Sequence, residues 1–164
     1  MDTYRFEKVA EKDLASVTEI YNYYVINTTA TFSEKPFSCS EMRELVFFDN
    51  PRYSAFVILE GENLCGYCIL TQFNKREAYD HTAEITIYLK PEYTGKGIGT
   101  VAVQFIENVA KGRGIHVLIA IICGENTASI KLFEKNGYEK CAHYKEVGKK
   151  FGRLLDVVSY QKII

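Results

Sequence analysis

The segment of the sequence best suited to bind a ligand is glycine-rich and runs from Tyr93 to Thr100. A strand-like run leads into this segment, and a helical pattern follows it. Glycine lets a backbone turn tightly and approach a ligand closely because it has no Cβ atom. The first turn of a helix presents unpaired N–H groups and a partial positive charge, which favour an anion. The segment is therefore a candidate phosphate or pyrophosphate site, and Lys96 adds a point charge to it.

Two common nucleotide-binding motifs do not fit this segment. A Walker loop has four residues between its first glycine and a Gly-Lys pair, which Ser or Thr follows, and that spacing is absent. The dinucleotide-binding fingerprint has glycine as its sixth residue, where this sequence has Thr100. A plain glycine turn before a helix, without a ligand, stays open as an alternative at this point.

Glu84 is an ionisable residue in the strand-like run that ends at Pro91. A carboxylate is rarely buried without a partner, and burial raises its pKa. An exposed strand residue, or a partner for a nearby cation, is the alternative interpretation. Alternation along a strand assigns side chains to two faces, one with Glu84, Thr86 and Tyr88 and the other with Ile85, Ile87 and Leu89.

The five cysteines and three histidines do not suggest a metal site. Cys65 and Cys68 have the spacing of a redox or zinc pair, but a redox pair opens a helix and these residues lie in a β-rich run. In a regular strand, positions three apart point to opposite faces. No second cysteine pair lies nearby to complete a zinc site, and the histidines lack ligand spacing. We therefore expect structural cysteines and no metal.

Hydrophobic periodicity predicts one α/β domain over residues 1–164, with a mixed, mostly antiparallel sheet. The predicted element order is β-α-α-β-β-β-α-β-α-β-β. A capping-box spacing at Ser38 and Glu41 predicts the start of the second helix, and Pro51 is expected to end it. The predicted strands are 4–8, 54–60, 64–72, 83–90, 116–123 and two within 139–164, joined around 148–152. The last helix is predicted over 126–136.

The charge balance excludes two classes of partner. The 20 basic and 21 acidic residues give a formal net charge of -1, which offers no bulk attraction to nucleic acid or to anionic membranes. The first eight residues lack the apolar run of a signal peptide, and no apolar segment approaches the length of a bilayer span. We expect a cytoplasmic protein.

The segments around the glycine loop resemble the core of the GNAT acetyltransferases in order and spacing. They are the strand 83–93, the loop, the helix after it, the apolar strand 117–123 and the segment 126–138. The family's loop pattern, Gln/Arg-x-x-Gly-x-Gly/Ala, is matched at Gly97 and Gly99, with Thr94 in the first position. Segments 20–32 and 146–157 are similar to the phosphinothricin acetyltransferase group, so the similarity spans nearly the whole chain.

The resemblance implies that acetyl-CoA is the cosubstrate and that the central sheet splays apart to hold it between flanking helices. Asn126 and Lys135 occupy positions at which the family contacts the cofactor, although Asn126 is also suited to cap a helix. The pantetheine arm is implied to lie along Ile87, Tyr88 and Leu89. The pyrophosphate is implied to bind at Gly95, Lys96, Gly97, Ile98, Gly99 and Thr100.

The resemblance also implies direct transfer of the acetyl group to a primary amine in a ternary complex. Glu84 is then the general base, acting through water, and backbone N–H groups stabilise the oxyanion. Many GNAT enzymes have tyrosine at the position of Phe133, which cannot protonate the departing thiolate, so the proton donor stays open. The implied substrate-binding residues are Phe32, Asn74, Lys75, Arg76, Glu84, Ile85 and Thr86.

The expected substrate is a small amino-acid-like amine of the phosphinothricin, methionine sulfoximine or methionine sulfone type. Arg76 is the candidate ligand of its carboxylate, and a solvated loop cation is the alternative. Related enzymes often carry two arginines in this stretch, and Leu154 stands where tryptophan is common. A protein N-terminus, a polyamine, or a noncatalytic acetyl-CoA sensor are alternative functions. The resemblance also implies a homodimer with the active sites near the interface.

Overall fold

The computed structural model describes residues 3–164 and contains one seven-stranded sheet with the order β1-β2-β3-β4-β5-β7-β6. The strands are β1 Arg5–Lys8, β2 Ser54–Glu60, β3 Asn63–Gln72, β4 Thr82–Leu89, β5 Val117–Cys123, β6 Glu139–Lys150 and β7 Arg153–Ile163. The helices are α1 Leu14–Asn27, α2 Cys39–Val46, α3 Ile98–Gly112 and α4 Thr127–Lys135. Within residues 3–164 only the β4–β5 pair is parallel, so the predicted mixed, mostly antiparallel α/β fold is confirmed.

Each face of the sheet has its own hydrophobic core. The helices α1 and α2 cover one face, where Val17, Val25 and Met42 are almost completely buried. Helix α3 covers the other face with apolar residues three or four positions apart, as expected of an amphipathic helix. The splayed region of the sheet described below is therefore flanked by a helix layer on either side.

Helix α2 begins as predicted and ends earlier than predicted. The Ser38 hydroxyl accepts a hydrogen bond from the Glu41 N–H at 3.2 Å, and the Glu41 carboxylate accepts one from the Ser38 N–H at 2.7 Å. The expectation that Pro51 ends this helix is wrong, because the chain becomes extended at Phe47. This turn lets the Phe47 and Phe48 rings pack against the hydrophobic cores.

Cys65 and Cys68 lie on the same face of β3, against the expectation from regular alternation. The register between β2 and β3 shifts after Ile58, and Cys65 is the extra residue of this bulge. Both thiols are completely buried in the core on the α3 side, and burial raises their pKa. All five cysteines of the chain are unpaired. Such buried thiols are unreactive and act as small hydrophobic side chains.

Of the helices in residues 3–164, none has both the length and the apolar character that crossing a bilayer requires.

Candidate active site

The centre of the sheet is open, because β4 and β5 are paired along only part of their length. Their register runs from Thr82 opposite Val117 to Glu84 opposite Ile119 and stops there. Beyond Glu84 the two strands separate, and a cavity of about 500 Å³ lies in and beside the gap. Glu84 therefore stands at the closed end of a V-shaped cleft that widens towards the glycine loop.

The open edge of β4 offers free backbone hydrogen-bonding groups to this cleft. The Lys90 N–H donates to the Cys65 carbonyl at 2.8 Å, which identifies these two residues as a hydrogen-bonded pair of the β3–β4 ladder. Paired positions alternate along antiparallel strands, so the backbones of Tyr88 and Thr86 also bond to β3. Beyond the paired region, the backbone groups that face the cleft are the Ile85 carbonyl and the N–H and C=O groups of Ile87 and Leu89, of which the Leu89 carbonyl accepts a hydrogen bond from the Tyr24 hydroxyl. Tyr88 reaches the cavity wall with its side chain.

The glycine loop surrounds the wide end of the cleft. Gly95 and Gly97 adopt left-handed φ angles of 73° and 83°, which glycine accepts without strain. Gly97 is the N-cap of α3 and supplies no side-chain acceptor, so first-turn N–H groups of this helix stay available to an anion. At Gly99 an added Cβ would lie 3.0 Å from the Leu132 side chain, so this helix turn packs closely against α4.

Two residues predicted in this loop have side chains outside the cavity wall. The Lys96 ammonium lies over the Tyr93 ring, 5.0 Å from its centroid. The Ile98 side chain is fully buried in the core and holds the start of α3 against the sheet. The loop therefore lines the cavity with three glycines, at positions 95, 97 and 99, and with Thr94 and Thr100.

Helix α4 forms the wall opposite β4. The Asn126 side chain caps this helix by accepting a hydrogen bond from the Ser129 N–H at 3.2 Å, and Asn126 also lines the cavity. Phe133 lines the cavity from the same helix, buried with its ring edge-on to Tyr138. Lys135 is exposed in the last turn of α4, away from the wall.

Glu84 is a half-buried carboxylate whose pKa is raised by burial. Neither a hydrogen bond nor a cation within residues 3–164 offsets that burial. Its side chain lies on the same strand face as those of Thr86 and Tyr88, both of which line the cavity, although Glu84 itself does not. The site thus has a carboxylate without a partner among residues 3–164, and this carboxylate lies behind the cavity wall.

Tyr24 of α1 is a cavity residue that was not among the predicted site residues. Its hydroxyl donates to the Leu89 carbonyl at 2.5 Å, and its ring lies 5.2 Å from the Tyr88 ring. Burial raises the pKa of Tyr24, so the hydroxyl stays protonated. Ala30 lines the same side of the cavity. The repeated tyrosines of segment 20–25 were the available signal, but their helical spacing is equally typical of a core.

The residues predicted to bind the substrate divide into three groups. Ile85 and Thr86 line the cavity. The residues Asn74, Lys75 and Arg76 lie in the loop after β3, at the same end of β4 as Glu84, and Lys75 and Arg76 are exposed. Phe32 packs across Gly148 of the last hairpin, where an added Cβ would lie 2.3 Å from the ring. The loop 74–76 is therefore near the closed end of the cleft, and Phe32 is at its flank. Both lie outside the cavity wall.

The residues able to hold a metal are not assembled in this structure. No group of three His, Cys, Asp or Glu side chains in the described part of the chain, 3–164, is arranged to hold an ion.

A splayed parallel pair, a free β4 edge and a glycine turn at a helix start together form a site for a thin ligand that carries phosphate. Residues 17–138 match the acetyltransferase (GNAT) family. The chain belongs to this family. It is an acetyl-CoA-dependent N-acetyltransferase, and the predicted resemblance is confirmed.

Relatives of this GNAT acetyltransferase match it over almost its full length. Phosphinothricin N-acetyltransferase of Streptomyces coelicolor is 32% identical over 156 residues, or 93% of this chain and 91% of that protein. The L-methionine sulfoximine/L-methionine sulfone acetyltransferase of Pseudomonas aeruginosa is 32% identical over 153 residues, with 91% and 88% coverage. A crystal structure of a phosphinothricin acetyltransferase from Sinorhizobium meliloti in complex with acetyl-CoA has a TM-score of 0.93 and 34% identity, covering 99% of this chain and 89% of that one.

Proposed function

We propose that this GNAT acetyltransferase acetylates the primary amine of a small amino-acid-like substrate of the phosphinothricin, methionine sulfoximine or methionine sulfone type. The observation that carries the proposal is the cleft between β4 and β5, which joins a phosphate-binding turn at its wide end to an unpaired carboxylate at its closed end. The names of the two relatives from Streptomyces and Pseudomonas support the substrate class.

Acetyl-CoA binding is assigned to the backbone of the cleft. The amides of the pantetheine arm pair with the free edge of β4 at Ile87 and Leu89, where neighbouring strand pairing is absent. The pyrophosphate lies at the N–H groups of the Gly95–Thr100 turn, which the partial positive charge of α3 reinforces. Asn126 contacts the arm from α4, and Lys96 and Lys135, whose side chains lie outside the cavity wall, contribute positive charge to the surrounding surface.

Acetyl transfer requires a neutral amine, and Glu84 is the proposed base. Because this carboxylate lies behind the cavity wall, it takes the proton through a water molecule. The amine attacks the thioester carbon, and the oxyanion accepts a hydrogen bond from a free N–H group of β4. The C–S bond then breaks, and the electron pair leaves on sulfur.

The departing thiolate does not need a protein acid. Phe133 has no proton to give at the position where many GNAT enzymes carry tyrosine. A cysteine thiol has a pKa of roughly 8.5, far below that of an alcohol, so an alkyl thiolate is a tolerable leaving group, and water completes the protonation.

The amine side of the cleft is formed by Tyr24, Ala30, Thr86 and Tyr88, which is an uncharged wall. The carboxylate of an amino-acid-like substrate is assigned to Arg76, in the exposed loop next to the Glu84 end of β4. An arginine forms two parallel hydrogen bonds with a carboxylate. Asn74, Lys75 and Phe32 complete the proposed substrate region.

We further propose that the enzyme is a cytoplasmic homodimer. Five unpaired cysteines are consistent with a reducing compartment. The hairpin of β6 and β7 carries four large apolar side chains that are 54–60% exposed, namely Tyr144, Val147, Phe151 and Leu154. An exposed apolar cluster of this kind is typical of a protein interface.

The test is free-thiol release from acetyl-CoA with a panel of amines. The panel contains methionine sulfoximine, methionine sulfone, phosphinothricin, polyamines and short peptides. We expect turnover of an amino-acid analogue and a loss of about 10²-fold or more in kcat for Glu84→Gln, the usual contribution of a general base. Glu139→Gln, at an exposed position of β6, is the control. Arg76→Ala should raise KM for the amino acid and leave its decarboxylated analogue unaffected.

Acetyl-CoA binding without turnover of any amine would instead favour a noncatalytic sensor. Preferred turnover of peptides or polyamines would overturn the proposed substrate class while leaving the acetyltransferase activity intact.

A further inference from the structure

The segment Thr28–Ser33, here called the acceptor loop, follows α1 and borders the amine side of the cleft. Ala30 of this loop lines the cavity. The loop has no regular secondary structure of its own, so its position depends on side-chain contacts. Some of these contacts come from α1 and from Glu125, and others come from a distant part of the chain, the end of the β6–β7 hairpin.

Lys150 makes the central contact. It lies at the end of β6 beside exposed neighbours, yet its own side chain is only 1% exposed. Its ammonium donates to the carbonyl of Thr31 at 2.8 Å and lies 5.1 Å from the centre of the Phe151 ring. Lysine is almost never fully buried unless it is paired, so this carbonyl is an important acceptor for the charge.

Two further contacts hold the residues on either side of Thr31. The Phe32 ring lies against the Gly148 backbone, so closely that a Cβ atom at this position would be 2.3 Å from the ring. The Thr29 hydroxyl donates to the Glu125 carboxylate at 2.6 Å. Arg153 of the same hairpin binds that carboxylate through two hydrogen bonds, at 2.8 and 3.0 Å.

The side chain of Thr31 is linked to the cavity wall through Tyr21. Its hydroxyl forms a hydrogen bond with the Tyr21 hydroxyl at 2.9 Å, and the Tyr21 ring lies edge-on to the ring of Tyr88, 5.6 Å away. Tyr88 lines the cavity. A shift of the Thr31 backbone would therefore move both Ala30 and the support of the Tyr88 side chain.

We propose that Lys150 is a positioning residue for the amine substrate: its buried ammonium fixes the acceptor loop and, through Thr31, the uncharged wall against which the amine binds. The proposal rests on the proposed function, because it takes the Ala30 side of the cleft as the amine side. Lys150 touches neither reactant and acts only through the loop.

The variant that tests this role is Lys150→Met, which keeps an apolar stem and removes the ammonium. Lys149→Met, at the exposed neighbouring position of β6, is the matched control. Gly148→Ala displaces the Phe32 ring and provides a second, independent disturbance of the loop. Each variant is compared with the wild type by amide hydrogen exchange and by steady-state kinetics, at concentrations that give the same oligomeric state.

We expect Lys150→Met to speed amide exchange in residues 29–33 at least tenfold and to raise KM for the amine at least tenfold. KM for acetyl-CoA should stay within twofold, because the β4 edge and the glycine loop make no contact with Lys150. Gly148→Ala should show the same pattern more weakly, and Lys149→Met should match the wild type.

Unchanged exchange in the loop, or equal effects of Lys149→Met, would overturn the proposal. Equal rises in both KM values together with a lowered melting temperature would also overturn it, because they would indicate a general structural role. A wild-type protein that acetylates no amine would count against the proposed function, and the exchange data would still test Lys150 separately.

Discussion

At the scale of a single residue, the burial of Glu84 favours its role as a base but disfavours its ionised form in the folded protein. It is half-buried, and no ionic partner or hydrogen bond within residues 3–164 contributes to its raised pKa. A carboxylate in this state is a stronger base than one in water, which suits the removal of a proton from an ammonium group. The same desolvation makes the ionised form unfavourable for the fold.

The stability cost of Glu84 gives a prediction with a definite sign. Because burial raises its pKa above the ordinary value of 4.5, the folded state holds this proton more tightly than the unfolded state. Its contribution to stability is complete below that value and is lost as the pH rises through the raised pKa. Glu84→Gln should therefore melt at a higher temperature than the wild type at about pH 7.

Thermal unfolding between about pH 4 and pH 8 measures this effect. The difference between Glu84→Gln and the wild type should shrink towards zero at the acidic end, where both side chains are neutral. Glu139→Gln should show no such trend. Equal melting temperatures of Glu84→Gln and the wild type at every pH would mean that the ionised carboxylate is better solvated than its burial indicates.

At the scale of elements, the catalytic geometry depends on how closely β3 and β4 approach. Gly66 lies opposite Leu89, and a Cβ atom at this position would be 2.4 Å from the Tyr88 carbonyl. Since β3 holds one edge of β4, its position also determines where the free edge faces the cleft. This glycine is needed for close approach and not for a left-handed turn.

Gly66→Ala should destabilise the fold and weaken acetyl-CoA binding together. Overpacking of this kind costs about 1–3 kcal/mol, and the displaced strand carries Ile87 and Leu89 with it. Denaturant unfolding and acetyl-CoA titration measure the two effects. Gly112→Ala is the control, because its Cβ would meet nothing within 4 Å. Normal acetyl-CoA affinity in a destabilised Gly66→Ala protein would show that the spacing of β3 and β4 does not determine acetyl-CoA binding.

The parts of the site that lie close together in sequence were predictable, and Asn126 followed from the family resemblance, but side-chain contacts between distant segments were not predictable. Glu84, the glycine turn and the start of α3 follow one another along the chain, so strand alternation and the helix-start pattern are enough to group them. Tyr24 reaches Leu89 across 65 positions and Lys150 reaches Thr31 across 119. The hydrophobic periodicity of the sequence contains no information about such contacts. The bulge at Cys65 escaped prediction for a related reason, since it is defined by the register with a neighbouring strand.

At the scale of the whole molecule, the β6–β7 hairpin combines two features. It contacts the acceptor loop through Lys150 and Gly148, and its Arg153 binds Glu125, which accepts a hydrogen bond from the loop. It also exposes apolar side chains, those of Tyr144, Val147, Phe151 and Leu154. In the proposed homodimer this hairpin would connect the interface to the amine side of each cleft.

Leu154→Lys should therefore weaken self-association. A charge placed in a buried apolar contact is costly, and we expect the dimer dissociation constant to rise about tenfold or more. Sedimentation over a range of protein concentrations measures the change. Ile163→Lys, which alters another exposed apolar side chain at the far end of β7, is the control. A monomeric wild type, or an unchanged constant for Leu154→Lys, would contradict the assignment of this interface.

The incomplete β4–β5 pairing has a consequence for the folded protein without its substrate. An unpaired strand edge can pair with a strand of another chain. The unpaired edge of β4, however, lies in the middle of the sheet between two helix layers. The Tyr24 hydroxyl already occupies the Leu89 carbonyl. Only a ligand as thin as an extended chain can complete the ladder. A ligand at 100 times its Kd adds about 2.7 kcal/mol to the stability of the folded form. Bound acetyl-CoA would then stabilise the folded enzyme as well as supply the acetyl group.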